Sequence, residues 1–313
     1  MKPGEIFSKT LPFVWAKLLL GLATVLGSIV IFAILMGIAW LLKNDGVFMV
    51  MFFIWLAGTA TINFLLNHYI GYLVKAGHIA VITEAVTTGI IPKNQVEYGK
   101  QMVKERFLTS NIYFVVDKLV SRAVSQIQRG VERVGGMMSV IPGMNAAVNI
   151  GKMFIAIALG YIDECCLGYT FFRREQGAFK SAADGVVIYW QNWKKLLKDA
   201  AKTTVMVIVL VVVVTLAAFL LFAGLFRLLG WNGFVAFILA VLVAWAVKKA
   251  FVDSYILVNM MASYMEVAPE TKITFDLYEK LCGISAKFKE LFNKGQQETP
   301  ALAAAGTGTK KKA

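Results

Sequence analysis

The sequence predicts an all-α fold: a polytopic helical membrane protein with two transmembrane hairpins, a central pair of amphipathic or re-entrant helices, and an interfacial elbow helix. Three observations lead there. The chain is 58% hydrophobic and 16% charged, whereas a soluble domain is usually about 45–50% apolar and about 25% charged. The excess is concentrated in four blocks that carry no charge at all: Leu18–Leu42, Val47–Val74, Thr203–Phe226 and Leu228–Val247. The net charge of +13 gathers in the segments that flank those blocks. One membrane domain is expected over residues 1–295, followed by a disordered basic tail over 296–313.

Each block reaches the roughly 20 residues that a helix needs to cross a hydrocarbon core about 30 Å thick. A helix of that length pairs its backbone groups within its own segment, which lipid demands. The spans are therefore placed at about 18–42, 47–75, 203–226 and 228–247. The first block is longer than the apolar region of a signal peptide, and no small-residue cleavage site follows it.

The first hairpin turns at Lys43-Asn44-Asp45-Gly46, with no net charge, and the second around Arg227 to Asn232, with one. Lys93 to Arg133, Arg173 to Lys202 and the stretch from Lys248 onward are basic. The positive-inside bias puts both tight turns outside and both termini in the cytosol. That placement also disposes of a nucleic-acid reading of the charge, because Lys and Arg at span ends set topology and meet anionic headgroups. The hairpins resemble one another: a Trp-bearing approach (LPFVWAKLL, VIYWQNWKKLL), a long span, a turn with Asn and Gly, and a return span that ends polar. His68-Tyr69 follows the first turn much as Tyr255 follows the second, which suggests a same-direction repeat of the kind transporters use.

Between the hairpins, helices are expected over 97–134 and 146–174. Ile112, Val116, Leu119, Val120, Ala123, Ile127, Val131 and Val134 recur at steps of three and four, with Lys118, Arg122, Gln126 and Arg129 on the other side. Gly135-Gly136 and Pro142-Gly143 break the pattern. The pair either lies on the cytosolic interface or enters the bundle shielded from lipid, since lipid-facing charge is costly. Over 181–200 a helix would put Ala183, Val186, Val187, Trp190, Trp193 and Leu197 on one face and Gln191, Lys194, Lys195 and Lys198 around the other. Trp favours the headgroup level, so this reads as an elbow lying in the interface before the third span. The final segment, GQQETPALAAAGTGTKKKA, is too poor in large apolar groups to order itself. Its last four residues fit a di-lysine retrieval pattern, which leaves either the plasma membrane or the endoplasmic reticulum as the destination.

Four stretches carry a resemblance. SAADGVVIYWQN resembles the elbow of the choline transporter-like proteins, which leads into their penultimate span. VKAGHIAVITEAV is similar to a small-residue segment at the end of an earlier span, and YGKQMVKERFLTSNIYFVVDKLVSRAVSQI resembles a Gly- and Phe-bearing helix that continues to an Arg and an Ile. AFVDSYILVNMM resembles the run ending the family's last span. Together they cover about residues 70–266 in the family's order. Family members carry further spans ahead of this region. The resemblance implies movement of choline or a related small organic cation such as ethanolamine across a membrane. The alternative is a non-transporting structural or accessory subunit of a membrane assembly, homo- or hetero-oligomeric.

A quaternary ammonium site needs aromatic faces and, near them, a carboxylate. The polar residues near the spans that could supply it are Asn63, His68, Tyr69, Tyr72, Glu84, Asp163, Glu164, Asp253, Tyr255 and Asn259. The candidates singled out are Asp253, Tyr255, Asn259, Glu84, His68 and Tyr69. Asp253 leads because it shares a helix with Tyr255 and Asn259; its charge is balanced either by Lys249, four residues earlier, or by a bound cation. Glu84 either lines a pathway or is solvated past the membrane edge. His68 is either a hydrogen-bonding core residue or a proton relay, and Tyr69 either belongs to the site or to the aromatic belt. Asp163-Glu164-Cys165-Cys166 is contiguous and so fans around a helix, whereas metal ligands want steps of three or four; no metal or other cofactor is expected. Three cysteines make no disulfide framework. No nucleophile elbow, phosphate loop or HExxH helix appears, so an enzyme is not expected.

Overall fold

The protein is described by a computed structural model covering residues 1–107, 110–135, 160–230 and 233–308. It is helical, with no strand among the described residues. In chain order the helices are Pro3–Lys9, Leu11–Leu42, Asp45–Leu65, Tyr72–Thr88, Gln95–Phe107, Ser110–Gly135, Ile162–Phe172, Ala178–Gln191, Trp193–Leu228, Gly233–Val247, Asp253–Val267, Phe275–Ile284 and Ala286–Gly308. Two π-helical turns, Leu66–Gly71 and Lys248–Val252, join their neighbours without a break. Within the stretch expected to form one membrane domain, the chain makes two compact units. Unit 1 comprises Met1–Lys9, Ala76–Val205 and Ile256–Ala313; unit 2 comprises Thr10–Lys75 and Met206–Tyr255.

Unit 2 contains the charge-free blocks. The expected turn at Lys43–Gly46 is present: Lys43 takes a left-handed conformation (φ 47°) and closes the first long helix. Asn44 opens the next, its Oδ1 accepting the N–H of Gly46 at 2.8 Å and of Val47 at 3.4 Å. An Asn cap of this kind contributes about 1 kcal/mol. Asn44→Ala is therefore expected to lower hairpin stability by about that amount, measured as a shift in the midpoint of unfolding in detergent. Two helices are long and apolar enough to cross a membrane, Leu11–Leu42 and Gly46–Thr88, and Val212–Leu225 is a shorter apolar stretch inside the Trp193–Leu228 helix. The fourth expected span, 228–247, is helical from Gly233; Trp231 and Asn232 lie outside the described residues.

The packing of unit 2 departs from that of a water-soluble core. Its interior is a narrow seam of Val25, Trp55, Leu239, Ala240 and Val243, lined by Phe32, Phe52, Phe222 and their neighbours. Inside it, Trp55 Nε1 donates to the Ser28 carbonyl (3.0 Å) and to Ser28 Oγ (2.9 Å), and Ser28 and Thr59 share a hydroxyl–hydroxyl bond of 2.7 Å. Small polar groups clasping two helices in this way are the usual glue of lipid-embedded bundles. The outside is apolar. Of the large hydrophobic side chains found exposed, all but Met1, Ile90, Val96, Val115, Trp193 and Ile284 belong to unit 2. Only 17% of the most apolar stretch of Leu11–Leu42 and 11% of that of Gly46–Thr88 is buried. Water penalises such exposure by about 25 cal/mol per Å², so these are not core helices of a soluble domain.

Unit 1 packs like an ordinary globular interior. The stripe read from Ile112 onward is its buried face: Val116, Leu119, Val120, Ala123 and Ile127 are buried, and Lys118, Arg122 and Arg129 are exposed. Val131 and Val134 carry side chains outside the described set. The expected 97–134 helix is helical over Gln95–Phe107 and Ser110–Gly135; Leu108 and Thr109 lie outside the described residues, as do residues 136–159, which take in 146–159 of the second expected helix. Gly99 and Gly77 let two helices touch through their backbones: a Cβ on Gly99 would meet the Gly77 Cα at 2.8 Å.

Two expectations are corrected here. The first half of the elbow does not lie half-exposed, because Ser181 through Tyr189 are buried on every side, whereas Trp193, Lys194, Lys195 and Lys198 in its second half are exposed. Its polar residues find protein partners instead of water: Lys180 and Tyr278 for Asp184, and the Lys272 carbonyl for Gln191. The bend itself exists, at Asn192, whose side chain donates to the Ile188 carbonyl and to Thr271 Oγ1, both at 2.9 Å. The tail is not unordered from residue 296. Phe288 and Leu291 are buried and anchor a helix that runs from Ala286 to Gly308. From that helix Glu298 accepts the amide N–H groups of Phe179 (2.8 Å) and Lys180 (3.4 Å). It thereby caps the Ala178–Gln191 helix, whose own N-cap residue, Gly177, has no side chain to offer.

Candidate functional site

The polar groups of unit 2 gather at its two π-helical turns. A π turn makes residues five apart near neighbours, and such turns in α-helices are frequent at functional sites. The step brings Asp253 to Lys248, at 2.7 Å. Lys249 donates to Asn67 Oδ1 at 2.6 Å, which joins one π turn to the other. Asn67 in turn donates through Nδ2 to the carbonyl and side-chain oxygens of Asn63, at 2.7 and 2.6 Å. Beside them Lys17 Nζ donates to Ser254 Oγ at 2.9 Å. Aromatic rings border the cluster: Lys249 lies 5.9 Å from the Trp245 ring centroid, Trp15 meets Phe251 edge-on at 5.6 Å, and His68 stacks on Phe64 at 5.0 Å.

The expected site residues divide between the units. Asp253 and Tyr255 belong to unit 2 with His68, while Glu84 and Asn259 belong to unit 1. The side chain of Tyr69 lies outside the described set. Asp253 is balanced by a lysine, as one of its two readings required, with Lys248 at 2.7 Å. Glu84 is not simply solvated. Tyr98 donates to it at 2.6 Å, and Arg174 pairs with it at 3.0 Å while also donating to the Tyr98 oxygen at 3.1 Å. Burial, and then the Glu84 carboxylate, push the Tyr98 phenol up to about 12.

Three constellations in unit 1 went unseen in the sequence. Arg106 spreads its guanidinium over the Thr170, Gln176 and Gly177 carbonyls at 2.5, 2.7 and 3.2 Å and over Ser181 Oγ at 2.9 Å. It thus serves the end of the Ile162–Phe172 helix and the start of the Ala178–Gln191 helix together. Burial pulls its pKa down to about 10, against the pull of Glu298 and Glu175, so it remains charged at neutral pH. Asp184, in the SAAD stretch, is buried between Lys180 Nζ (2.7 Å) and the Tyr278 hydroxyl, with which it makes a short hydrogen bond. Finally, Arg122, Ser125, Gln126, Arg129 and Lys287 line a cavity of about 550 Å³ between the Ser110–Gly135 and Ala286–Gly308 helices.

Cys165 and Cys166 are fully buried, and burial pushes both thiols well up, which holds them protonated. Among the described residues no group of three or more His, Cys, Asp and Glu is placed to hold a metal ion. No family model, curated protein or solved structure matches the chain.

Proposed function

We propose that the protein is a polytopic membrane protein of the choline transporter-like kind that moves a small organic cation across the bilayer. The observation that carries the membrane part is the inversion of unit 2, apolar outside and clasped by hydroxyls and an indole within. Four spans in two hairpins follow, with the basic segments and both termini held in the cytosol by their charge. Support for a carried cation comes from the π turns. There the Asp253 carboxylate stands among aromatic rings with its partner lysine about one-third exposed (32%), open to exchange. An incoming ammonium would take the carboxylate from Lys248, and Lys248 would take it back on release.

The second reading is a non-transporting structural or accessory subunit. The pairing of Asp253, Glu84 and Asp184 with cations of the chain itself favours it, because a carboxylate so balanced holds no charge in reserve for a ligand. Uptake of labelled choline into proteoliposomes separates the two. The transport reading expects saturable uptake that Asp253→Asn reduces at least about tenfold, the equivalent of one lost charge-assisted contact of about 1.5 kcal/mol. Silent wild-type protein that purifies with a fixed partner would instead establish the subunit reading.

A further inference from the structure

The cavity between the Ser110–Gly135 and Ala286–Gly308 helices is the one feature whose chemistry neither reading uses. Three cations, Arg122, Arg129 and Lys287, converge on a space of about 550 Å³, within the size range of small-ligand sites. The floor is built and held. Gln126 Oε1 accepts from Ser285 Oγ at 2.8 Å and from the Lys287 amide at 3.0 Å, which leaves the carboxamide NH2 as that side chain's donor. Ser285 Oγ accepts the Phe288 amide at 3.0 Å and so caps the second helix, whose positive dipole end opens at the cavity. Ser125 gives its proton to the Ser121 carbonyl (2.8 Å) and offers only an acceptor. Arg129 Nε donates to the Ser125 carbonyl (3.2 Å), which fixes the near part of its fork.

Among the described residues, the carboxylate of Glu290 competes. Glu290 pairs with Lys287 at 2.7 Å, and its carboxyl is held low by that hydrogen bond first, with Lys294 and Arg122 adding to it. The balance remains positive, and the guanidinium forks suit planar or tetrahedral oxyanions. Cation clusters of this kind on the positively charged side of membrane proteins recognise phosphorylated headgroups.

From this convergence we infer that the cavity is a binding site for a phosphate-bearing anion, a phosphomonoester on an inositol-like ring being the class that its volume and three cations fit. The source is either a lipid headgroup or a free inositol phosphate, and the two are told apart by experiment. The inference stands apart from transport: it survives if no choline moves.

The test uses the full chain in detergent. One arm titrates inositol trisphosphate; the other titrates the same headgroup on a short-chain diacylglycerol dispersed in the micelles. Wild type should bind at least one of the two, and each charge removed by Arg122→Gln, Arg129→Gln or Lys287→Gln should weaken binding about fivefold. Lys118→Gln, one turn before Arg122 on the same face but not among the lining residues, should change it less than twofold. Glu290→Gln should tighten it, because a competing carboxylate goes. Tighter binding of the lipid form assigns the site to a headgroup, and equal binding assigns it to the free anion. No binding of either probe by wild type overturns the inference, as does equal loss from Lys118→Gln and from the lining residues. All five positions are exposed or half-buried, and unchanged elution and circular dichroism confirm folding.

Discussion

Arg106→Ala is expected to destabilise unit 1 by about 2–4 kcal/mol, because three carbonyls lose a charged donor at once and each such bond contributes about 1.5–3 kcal/mol, not additively. The carbonyls cannot turn to water. Thr170 and Ser181, beside the guanidinium, are fully buried, and the Gln176 and Gly177 oxygens are fixed by the tight link between two helices. Arg106→Lys makes the sharper test. It keeps the charge but lacks the planar fork, so it should recover less than half of the loss. Pulse proteolysis in detergent reports the difference. A lysine variant as stable as wild type would show that charge alone, and not geometry, organises this corner.

The second large effect belongs to unit 2. Trp55 is fully buried, with Phe32 and Phe52 at ring distances of 4.9 and 5.4 Å. Trp55→Ala should cost about 3–5 kcal/mol through the cavity it leaves. Lipid tails are as apolar as the seam itself, so little of that loss concerns water; it concerns contacts that no neighbour can replace. Trp55→Phe keeps most of the contacts and removes the two hydrogen bonds to Ser28, an expected loss of about 1 kcal/mol. Unfolding in mixed micelles with increasing dodecyl sulfate measures both. If the alanine and phenylalanine variants lose equally, the indole N–H and not packing holds the hairpin.

Much of the local structure was legible because it depends on neighbours in sequence. The Asn44 cap, the stripe from Val116 to Ile127 and the four charge-free blocks all obey short-range periodicities. The misreadings have a common cause in long-range partners. Nothing in the order of residues near Arg106 announces that carbonyls 64 to 71 positions away will meet it. The elbow was placed at the interface on its tryptophans and on Gln191 with three lysines, yet its first half is buried, where Tyr278 and the Lys272 carbonyl, both distant in sequence, meet Asp184 and Gln191. Lys249 was expected beside Asp253 because an α-helix pairs residues four apart; a π turn brings residues five apart together, so Lys248 meets it too, and the chain gives no plain signal for that widening. The tail misled for a similar reason. Its composition is that of an unanchored segment, but Phe288 and Leu291 lie just upstream and hold the helix that it continues.

Glu298 reaches back across 119 positions to hold the Phe179 amide, and this sets an order of events during synthesis. The first hairpin can close on its own clasp of Trp55, Ser28 and Thr59 as it emerges, although Leu239, Ala240 and Val243 complete its seam only later. The middle of the chain cannot: its helix start stays open until the segment from Ala286 to Glu298 has been made. For the seconds that the ribosome needs to cover that interval, the buried surface of unit 1 stands exposed. A chaperone or protease present at the membrane therefore has its opening at this stage, and not after release.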